Sequence, residues 1–171
     1  TCTTAPTTCP HRKGDLWKVT NALNHVVETL KYDGAGRPLS VKDANGVITD
    51  YTYSPRGWLT ARKVRGTDNT VETDDQITLI EYWGNGLVRK ITDPTAASIR
   101  FSYDAAQRLT YLTDDDDNKV NYELDSAGNR TKERVLKAPN LDEIRLLKRT
   151  FNILGQLETQ SDADTTPHTS T

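Results

Sequence analysis

The densest group of residues that could do chemistry is an acidic run, Asp114-Asp115-Asp116-Asp117-Asn118. Asp114, Asp116 and Asn118 occupy alternating positions, as the oxygen ligands of a calcium loop do. Such a loop needs glycine at its sixth position, where this chain has Lys119. The run also falls where the spacing of other turns predicts a turn. A solvated turn is therefore favoured, and calcium is the alternative.

A second group of candidate ligands lies at the N-terminus. Cys2 and Cys9 could form a disulfide through a short loop in an oxidising compartment, or they could stay free thiols. His11 adds a third ligand, but a fourth is missing and the spacing fits no zinc pattern. His25 and His168 stand apart and form no Ser/His/Asp or Cys/His grouping in sequence. The sequence therefore predicts no enzyme, no cofactor and no metal site.

A recurring turn with an aromatic or aliphatic lead residue organises the chain. The lead residues and turn glycines are Tyr32 with Gly36, Tyr53 with Gly57, Tyr82 with Gly86, Leu124 with Gly128 and Phe151 with Gly155, and Tyr103 leads a turn with Gln107 in place of glycine. Successive lead residues are separated by 21, 29, 21, 21 and 27 positions. A period of this size is the signature of a repeat architecture.

The turns carry a consistent chemistry. Asp33, Asp104 and Asp125 follow their lead residues, and a side-chain oxygen at this position accepts backbone N–H groups two residues on. Glycine three residues later takes a positive φ without steric cost. A second set of turns follows the first by about ten residues, at Asn21–Asn24, Asp43–Gly46, Asp93-Pro94, Asp114-Asp115 and, more weakly, Asp162-Ala163.

The segments between turns alternate apolar and polar residues. In residues 99–103 the apolar side chains share one face, while Arg100 and Ser102 share the other. This pattern predicts an all-β fold, an antiparallel meander of about thirteen short strands in hairpin repeats of about 21 residues. The strip is expected to form a curved, spiralling sheet, part of a shell or open barrel. Residues 141–147 could instead form one or two helical turns.

The predicted organisation has three parts. Residues 1–13 form an N-terminal segment, and residues 14–164 form an array of six to seven repeats with longer loops near 66–75 and 137–143. Residues 165–171 are rich in Thr and Ser, which predicts a disordered tail. The chain begins at Thr1 and has no Met, so we interpret it as an internal piece of a longer protein.

Composition excludes several functional classes. The net charge is −2 and the isoelectric point is about 5.9, so no basic field is available to hold nucleic acid. The chain contains no apolar run near the length of a membrane span. A hydrophobic content of 35% and a mean hydropathy of −0.70 give a thin apolar supply for a closed core.

These motifs resemble the RHS (YD) repeat, whose pattern is roughly Tyr-Asp-x-x-Gly-Arg-Leu-Thr, a strand, and a second turn. The matching residues are Tyr32, Asp33, Gly36 and Arg37; Tyr53, Gly57, Leu59 and Thr60; Tyr103, Asp104, Arg108, Leu109 and Thr110; and, in a variant form, Asp125, Gly128, Asn129, Arg130 and Thr131. The resemblance covers residues 14 to 164. Departures are Gln107 in a glycine position, which implies a strained or differently shaped bend, and Tyr82-Trp83, Phe151-Asn152 and Leu124 at lead positions.

The resemblance implies a strip of hairpins that spirals into a hollow shell, as in bacterial polymorphic toxins, insecticidal toxin complexes and teneurins. The expected partners are the rest of a parent protein and an enclosed toxin or translocated polypeptide. The expected location is secreted or on the surface of a bacterial cell. In bacterial members a C-terminal core region cuts the cargo free with aspartates, and because no segment matches that region, no catalytic residue is carried over.

The recurring rings at Tyr32, Tyr53, Tyr82, Tyr103 and Phe151 have two interpretations. They could stack as a ladder that holds neighbouring strands together, which is favoured. They could instead form a platform for carbohydrate, which would make the chain a surface binding module. The open edges of such a strip also predict self-association of the isolated chain.

Overall fold

A computed structural model of the chain describes residues 11–67 and 72–164, without the side chains of residues 163 and 164. The described residues form strands and turns and contain no helix. The strands are β1 (Lys18–Thr20), β2 (Val26–Tyr32), β3 (Pro38–Lys42), β4 (Ile48–Tyr53), β5 (Leu59–Val64), β6 (Gln76–Tyr82), β7 (Val88–Thr92), β8 (Ser98–Tyr103), β9 (Leu109–Thr113), β10 (Lys119–Leu124), β11 (Arg130–Lys137), β12 (Asp142–Phe151) and β13 (Leu157–Asp164).

The strands follow one another in the sheet in the order β1 to β13. The predicted antiparallel all-β meander is therefore confirmed, while the predicted spiral of the strip stays a prediction. The chain divides into two compact units between Ile80 and Glu81, inside β6. No described helix is available to cross a membrane.

In the first unit, strand register places opposite charges next to each other across the sheet. Glu28 on β2 lies opposite Lys18 on β1 and opposite Lys42 on β3. Asp50 on β4 lies opposite Ser40 on β3 and opposite Lys63 on β5. Cross-strand pairs of this kind stabilise a sheet and also fix its register.

In the second unit, the two faces of the sheet differ in polarity. Phe101, Leu112, Val120 and Val135 lie opposite one another on β8, β9, β10 and β11 and form an apolar row. Residues that alternate with this row, such as Arg100, Thr113 and Lys119, give the other face its polar character.

The apolar residues are mostly half-buried. Leu147 on β12, with 6% of its surface exposed, is the one buried apolar side chain in the described ranges. This agrees with the low content of apolar residues in the sequence. Stability must therefore depend strongly on backbone ladders and on polar side chains at the turns.

Three expectations for the C-terminal region differ from the structure. Asp162-Ala163 does not form a turn, because both residues lie in β13 and pair with β12. The predicted loop near 137–143 is reduced to residues 138–141, since Lys137 pairs with Asp142. The helical alternative for 141–147 is also wrong, because β11 and β13 flank β12 and complete its backbone hydrogen bonds.

The predicted loop near 66–75 does join two strands, β5 and β6. Its base is closed by backbone N–H groups that donate to two carboxylates, Gly66 to Asp75 at 3.0 Å and Thr67 to Asp74 at 2.8 Å. Lys63 adds an ion pair to Asp75 at 3.2 Å. Residues 68–71 of this loop lie outside the described residues, as do Cys2, Cys9, His168 and the tail from residue 165.

Candidate functional site at the hairpin corners

Most hairpins close through the same five-residue turn, which we call a corner, with positions numbered 1 to 5. The N–H of position 1 donates to the carbonyl of position 5, and the N–H of position 4 donates to the carbonyl of position 1. In the corner that starts at Asp33, the Asp33 N–H lies 2.9 Å from the Arg37 carbonyl oxygen, and the Gly36 N–H lies 3.2 Å from the Asp33 carbonyl oxygen. Corners start at Asn21, Asp33, Asp43, Ser54, Trp83, Asp93, Asp104, Asp114, Asp125 and Asn152.

The side chain at position 1 completes the corner. Asp33 Oδ1 accepts the N–H of Ala35 at 2.8 Å and the N–H of Arg37 at 2.9 Å. The carbonyl of position 1 already accepts the N–H of position 4, so a short side-chain oxygen is needed for the N–H of position 5. This requirement explains why Asp, Asn and Ser occupy position 1 so often.

One corner solves the same problem differently. Trp83 at position 1 has no acceptor oxygen, and Asn85 at position 3 supplies one, with its Oδ1 accepting the N–H of Leu87 at 3.2 Å. The turn pattern in the sequence does not predict this role for Asn85. The signal available in the sequence is an amide two residues before position 5, within an otherwise regular turn.

Position 4 is left-handed in every corner. Glycine occupies it in six corners, with φ from 73° to 92°. Asn24, Ala96, Gln107 and Asp117 occupy it in the other four, with φ from 60° to 70°. The Gln107 bend is therefore not differently shaped, because its N–H donates to the Asp104 carbonyl at 2.9 Å as in the other corners.

We expect Gln107→Gly to stabilise the chain by about 1 kcal/mol, because a left-handed φ costs a side-chain-bearing residue about 1–2 kcal/mol and glycine loses part of this gain to chain entropy. Urea unfolding followed by circular dichroism measures the change. The matched control is Ala105→Gly in the same corner, where φ is not positive and glycine should destabilise slightly. Equal effects at the two positions would contradict the strain at position 4.

Position 5 links one corner to the next along the same edge. Arg108 Nε donates to Asp104 Oδ2 at 2.7 Å within its own corner. Its Nη1 also donates to the Asp125 carbonyl at 2.9 Å, at the first position of the following corner on that edge. Arg37 repeats the first contact with Asp33 at 2.6 Å, and its guanidinium lies 4.7 Å from the centre of the Tyr53 ring. These arginines therefore tie successive repeats together.

Two of the lead tyrosines donate hydrogen bonds to backbone carbonyls of a neighbouring segment. Tyr32 donates its hydroxyl to the Leu16 carbonyl at 2.7 Å, and Tyr53 donates to the Pro38 carbonyl at 3.1 Å. Burial raises the pKa of the Tyr53 hydroxyl and that of Tyr103. All five rings of the predicted ladder, from Tyr32 to Phe151, are half-buried at the ends of their strands. The structure thus gives two of these tyrosines a role in anchoring a neighbouring segment.

Threonine hydroxyls add a contact that the turn pattern in the sequence does not predict. Thr60 donates to the Thr52 carbonyl at 3.2 Å, and Thr110 donates to the Ser102 carbonyl at 3.2 Å. Thr131 makes the equivalent bond to the Glu123 carbonyl at 3.1 Å. Each bond crosses the hairpin next to its corner. The signal in the sequence is the threonine that follows position 5 by two residues.

The acidic run is built into a corner. Asp114 Oδ1 accepts the N–H groups of Asp116 at 3.0 Å and Asn118 at 2.9 Å, and Oδ2 accepts Asn118 Nδ2 at 2.8 Å. Asp115 accepts hydrogen bonds from the backbone and hydroxyl of Ser98, and Asp117 pairs with Arg100 at 3.2 Å. The described residues contain no group of three or more His, Cys, Asp or Glu side chains placed to hold a metal.

The described histidines lie apart from one another. The His11 ring hydrogen-bonds to the Thr29 carbonyl and has Trp17 and Tyr32 as ring neighbours, at 6.2 Å and 5.9 Å between centroids. His25 is position 5 of the first corner. His25 is exposed, and its Nδ1 lies 3.3 Å from Asn21 Nδ2.

Hydrogen bonding makes the corner carboxylates stronger acids than usual. The N–H of Arg37 holds the pKa of Asp33 below its ordinary value, and the N–H of Arg108 does the same for Asp104. The Asn129 side chain lowers the pKa of Asp125. The folded state therefore favours the ionised form of these three carboxylates.

We expect the chain to lose stability below about pH 4. Because the folded pKa values lie below the unfolded value near 4, the stabilisation is present above pH 4 and is lost as the pH falls through the folded values. Asp104→Asn keeps an acceptor oxygen, as Asn21 and Asn152 do in their corners, but cannot titrate. Urea unfolding between pH 2 and pH 7 should show that the free energy of unfolding of this variant falls less steeply at acid pH than that of the original chain. If the free energy of unfolding fell equally steeply at acid pH in both proteins, a contribution from the Asp104 carboxylate would be contradicted.

One described groove has the mixed chemistry of a ligand site. It lies on the polar face of the second unit, has a volume of about 320 Å³ and is lined by Ser102, Tyr111, Thr113, Lys119, Asn121, Leu136 and Leu141. Tyr111 and Leu141 are both more than one-third exposed. Asn121 Nδ2 lies 3.5 Å from the Tyr111 hydroxyl. Tyr111 is not one of the repeat tyrosines.

Comparison with known protein families identifies part of the chain. The family model described as RHS Repeat matches residues 32–68 and 82–119. The resemblance drawn from the sequence is confirmed by these matches. Among curated proteins, none matches the chain.

Solved structures from toxin complexes share the fold. TcdB2-TccC3 without its hypervariable C-terminal region has a TM-score of 0.64 at 22% identity over 77% of this chain. The Photorhabdus luminescens Tc holotoxin pore has a TM-score of 0.65 at 20% identity over 78% of this chain. The chain spans only 7% and 6% of the length of those two chains.

Proposed function

We propose that this chain, which carries RHS repeats, is a structural module in the wall of a β-sheet shell that encloses a toxin or another translocated polypeptide. The observation that carries the proposal is the corner network, in which ten hairpins close with the same hydrogen bonds. Such a network suits a wall, because each repeat supports the next and leaves few backbone groups free for attack. The function is containment and involves no catalysis.

The thin core supports the same proposal. Leu147 is the one buried apolar residue that the structure describes, so the half-buried faces of the sheet would gain cover from neighbouring parts of a larger shell. The fold similarity to toxin-complex proteins is consistent with this role. The parent protein would then be secreted, or exposed on the surface of a bacterial cell, with the enclosed polypeptide and the rest of the shell as partners.

Protease protection tests containment in the full parent protein. We expect the enclosed polypeptide to resist an added protease while the shell is intact. A parent protein carrying Asp104→Ala and Asp125→Ala should lose this protection, because both carboxylates accept N–H groups at corners of the same edge. The matched control is Asp74→Ala at the base of the 66–75 loop, outside the corners. An enclosed polypeptide digested equally in all three proteins would contradict the proposal.

A second candidate function is carbohydrate binding, and the groove around Tyr111 favours it. An exposed ring beside hydroxyl, amide and ammonium groups can stack on a sugar and hydrogen-bond its hydroxyls. A glycan array tests this candidate. Binding that is lost in Tyr111→Ala and kept in Tyr122→Ala would support it, because Tyr122 is covered by the Arg130 guanidinium 3.7 Å from its ring centre. If the chain bound no glycan on the array, the carbohydrate-binding function would be contradicted.

A further inference from the structure

The groove around Tyr111 is built by two neighbouring rows of side chains on one face of the second unit. In the first row, Tyr111 lies opposite Ser102 on β8 and opposite Asn121 on β10. In the second row, Lys119 lies opposite Leu136 on β11. Because backbone ladders fix this register, the groove is formed before any ligand binds.

The loop of residues 138–141 contributes to the same groove. Ala138 donates its N–H to Asn118 Oδ1 at 3.0 Å, which attaches the loop to the corner that starts at Asp114. Leu141, the last residue of the loop, lines the groove and is 37% exposed. A side chain from a neighbouring corner therefore holds this part of the groove in place.

The backbone of Leu141 is left-handed. Its φ is 58°, and in the described ranges it is the one residue other than glycine with this conformation outside position 4 of a corner. Glycine or asparagine would adopt this φ at a lower steric cost than leucine. Strained residues of this kind cluster at binding sites. The strain therefore points to a use for the Leu141 side chain in the groove.

The groove carries an unpaired positive charge. Lys119 is the one charged side chain among the seven that line it. It is half-buried and forms no ion pair with any residue that the structure describes. The nearby bases on this face are neutralised, since Arg100 contacts Asp117 at 3.2 Å and Arg134 contacts Glu143 at 3.1 Å. A half-buried ammonium without a counter-ion favours an anionic ligand.

The groove also has an apolar part beside this charge. Leu136 lies directly opposite Lys119, and Tyr111 and Leu141 are both more than one-third exposed. The volume of about 320 Å³ is near the lower end of the range of about 300–1,000 Å³ for ligand pockets. It therefore suits one or two side chains of a partner. The hydroxyl and amide groups of the other lining residues can hydrogen-bond a peptide backbone.

We propose that the groove around Tyr111 binds an extended peptide segment in which an acidic and an apolar side chain stand two residues apart. Alternate residues of an extended chain face the same side, so both side chains enter the groove. The carboxylate pairs with Lys119, and the apolar side chain contacts Tyr111 and Leu141. This inference rests on the proposed function, because an enclosed polypeptide is the peptide that a wall segment meets. It makes the polar face of the second unit the inner face of the wall.

Nuclear magnetic resonance titration of the isotope-labelled chain with three capped peptides tests the proposal. The first peptide has the sequence Gly-Glu-Ser-Leu-Gly, the second has Gln in place of Glu, and the third has Ser in place of Leu. We expect the first to shift the amide signals of β9 and β10, and the other two to bind more weakly by about threefold or more. Equal binding of the three peptides, or no binding of the first, would overturn the proposal.

Methyl glucuronide separates a peptide ligand from a sugar. It carries a carboxylate and hydroxyl groups without an apolar side chain, and we expect it to bind more weakly than the first peptide. Tighter binding of the glucuronide would overturn the peptide as the ligand and would support the carbohydrate function.

Charge removal locates the contact. Lys119→Gln should weaken binding of the first peptide by about threefold or more, because an ion pair is lost. It should leave binding of the second peptide, which has no carboxylate, unchanged. Lys148→Gln, on β12 and outside the groove, changes the net charge equally and should leave binding of both peptides unchanged. Equal loss in both variants, or loss in neither, would overturn the proposal.

Leu141→Asn separates a role in binding from a role in stability. Asparagine tolerates a left-handed φ better than leucine, so the variant should unfold at the same or a higher urea concentration. It should bind the first peptide more weakly by about threefold or more, because an apolar contact is lost. Lower stability with unchanged binding would overturn the proposal. The shell function would survive that result, because the protease-protection experiment tests it independently.

Discussion

Replacing Leu147 with alanine should lower the free energy of unfolding by about 2–4 kcal/mol, the cost of a cavity at a buried leucine. Leu147 is 6% exposed and lies on β12, between β11 and β13, opposite Glu133 and Asp162. No other apolar side chain in the described residues is buried to this degree, so little else can compensate. Urea unfolding followed by circular dichroism measures the loss.

The matched control for Leu147→Ala is Ile153→Ala, at a side chain that is 102% exposed. That change should alter stability by less than about 0.5 kcal/mol, because no contacts are lost. If the two variants unfolded at the same urea concentration, the buried position of Leu147 would be contradicted. A sheet held together by its ladders alone would give that result.

Asp50→Ala should destabilise the chain by about 1–3 kcal/mol, because it leaves the partly buried Arg65 guanidinium without its ion-pair partner. Asp50 accepts two hydrogen bonds from Arg65, at 2.7 Å and 3.1 Å, and lies opposite Lys63 on β5. Burial, the largest single influence, raises the pKa of Asp50, but Arg65, Ser40 and Lys63 together lower it by more, so the pKa lies below its ordinary value. The folded state therefore favours the ionised form of the Asp50 carboxylate.

Asp162→Ala is the matched control for Asp50→Ala. Asp162 also pairs with an arginine across a strand, Arg145 at 2.7 Å, but both side chains are about half exposed. Water screens such a pair, and its loss should cost no more than about 1 kcal/mol. Urea unfolding of the two variants at pH 7 separates the effects. An equal cost would show that burial around Asp50 contributes nothing.

The corners could be predicted from sequence because their chemistry is local. Asp33 and Gly36 are three residues apart, and both backbone requirements of the turn are met within five residues. These turns recur every 21 to 29 residues, and a second turn follows each by about ten residues. Together the two sets of turns predict the number of strands. The thirteen antiparallel strands follow from these two facts, which is why the fold class was predicted correctly.

The exceptions depend on interactions that the local sequence does not show. Gln107 accepts a left-handed φ because pairing of β8 with β9 on either side outweighs the local cost. Asp162 has the composition of a turn residue, but its carboxylate pairs with Arg145 on the next strand. A single sequence cannot separate an acid that closes a turn from one that pairs across a sheet.

Electron cryomicroscopy of the full parent protein tests the account most directly. We predict that residues 14–164 lie in the wall of a hollow shell, with consecutive hairpins side by side and density for a polypeptide inside. Finding these residues in a separate solid domain, with no enclosed cavity, would contradict the account.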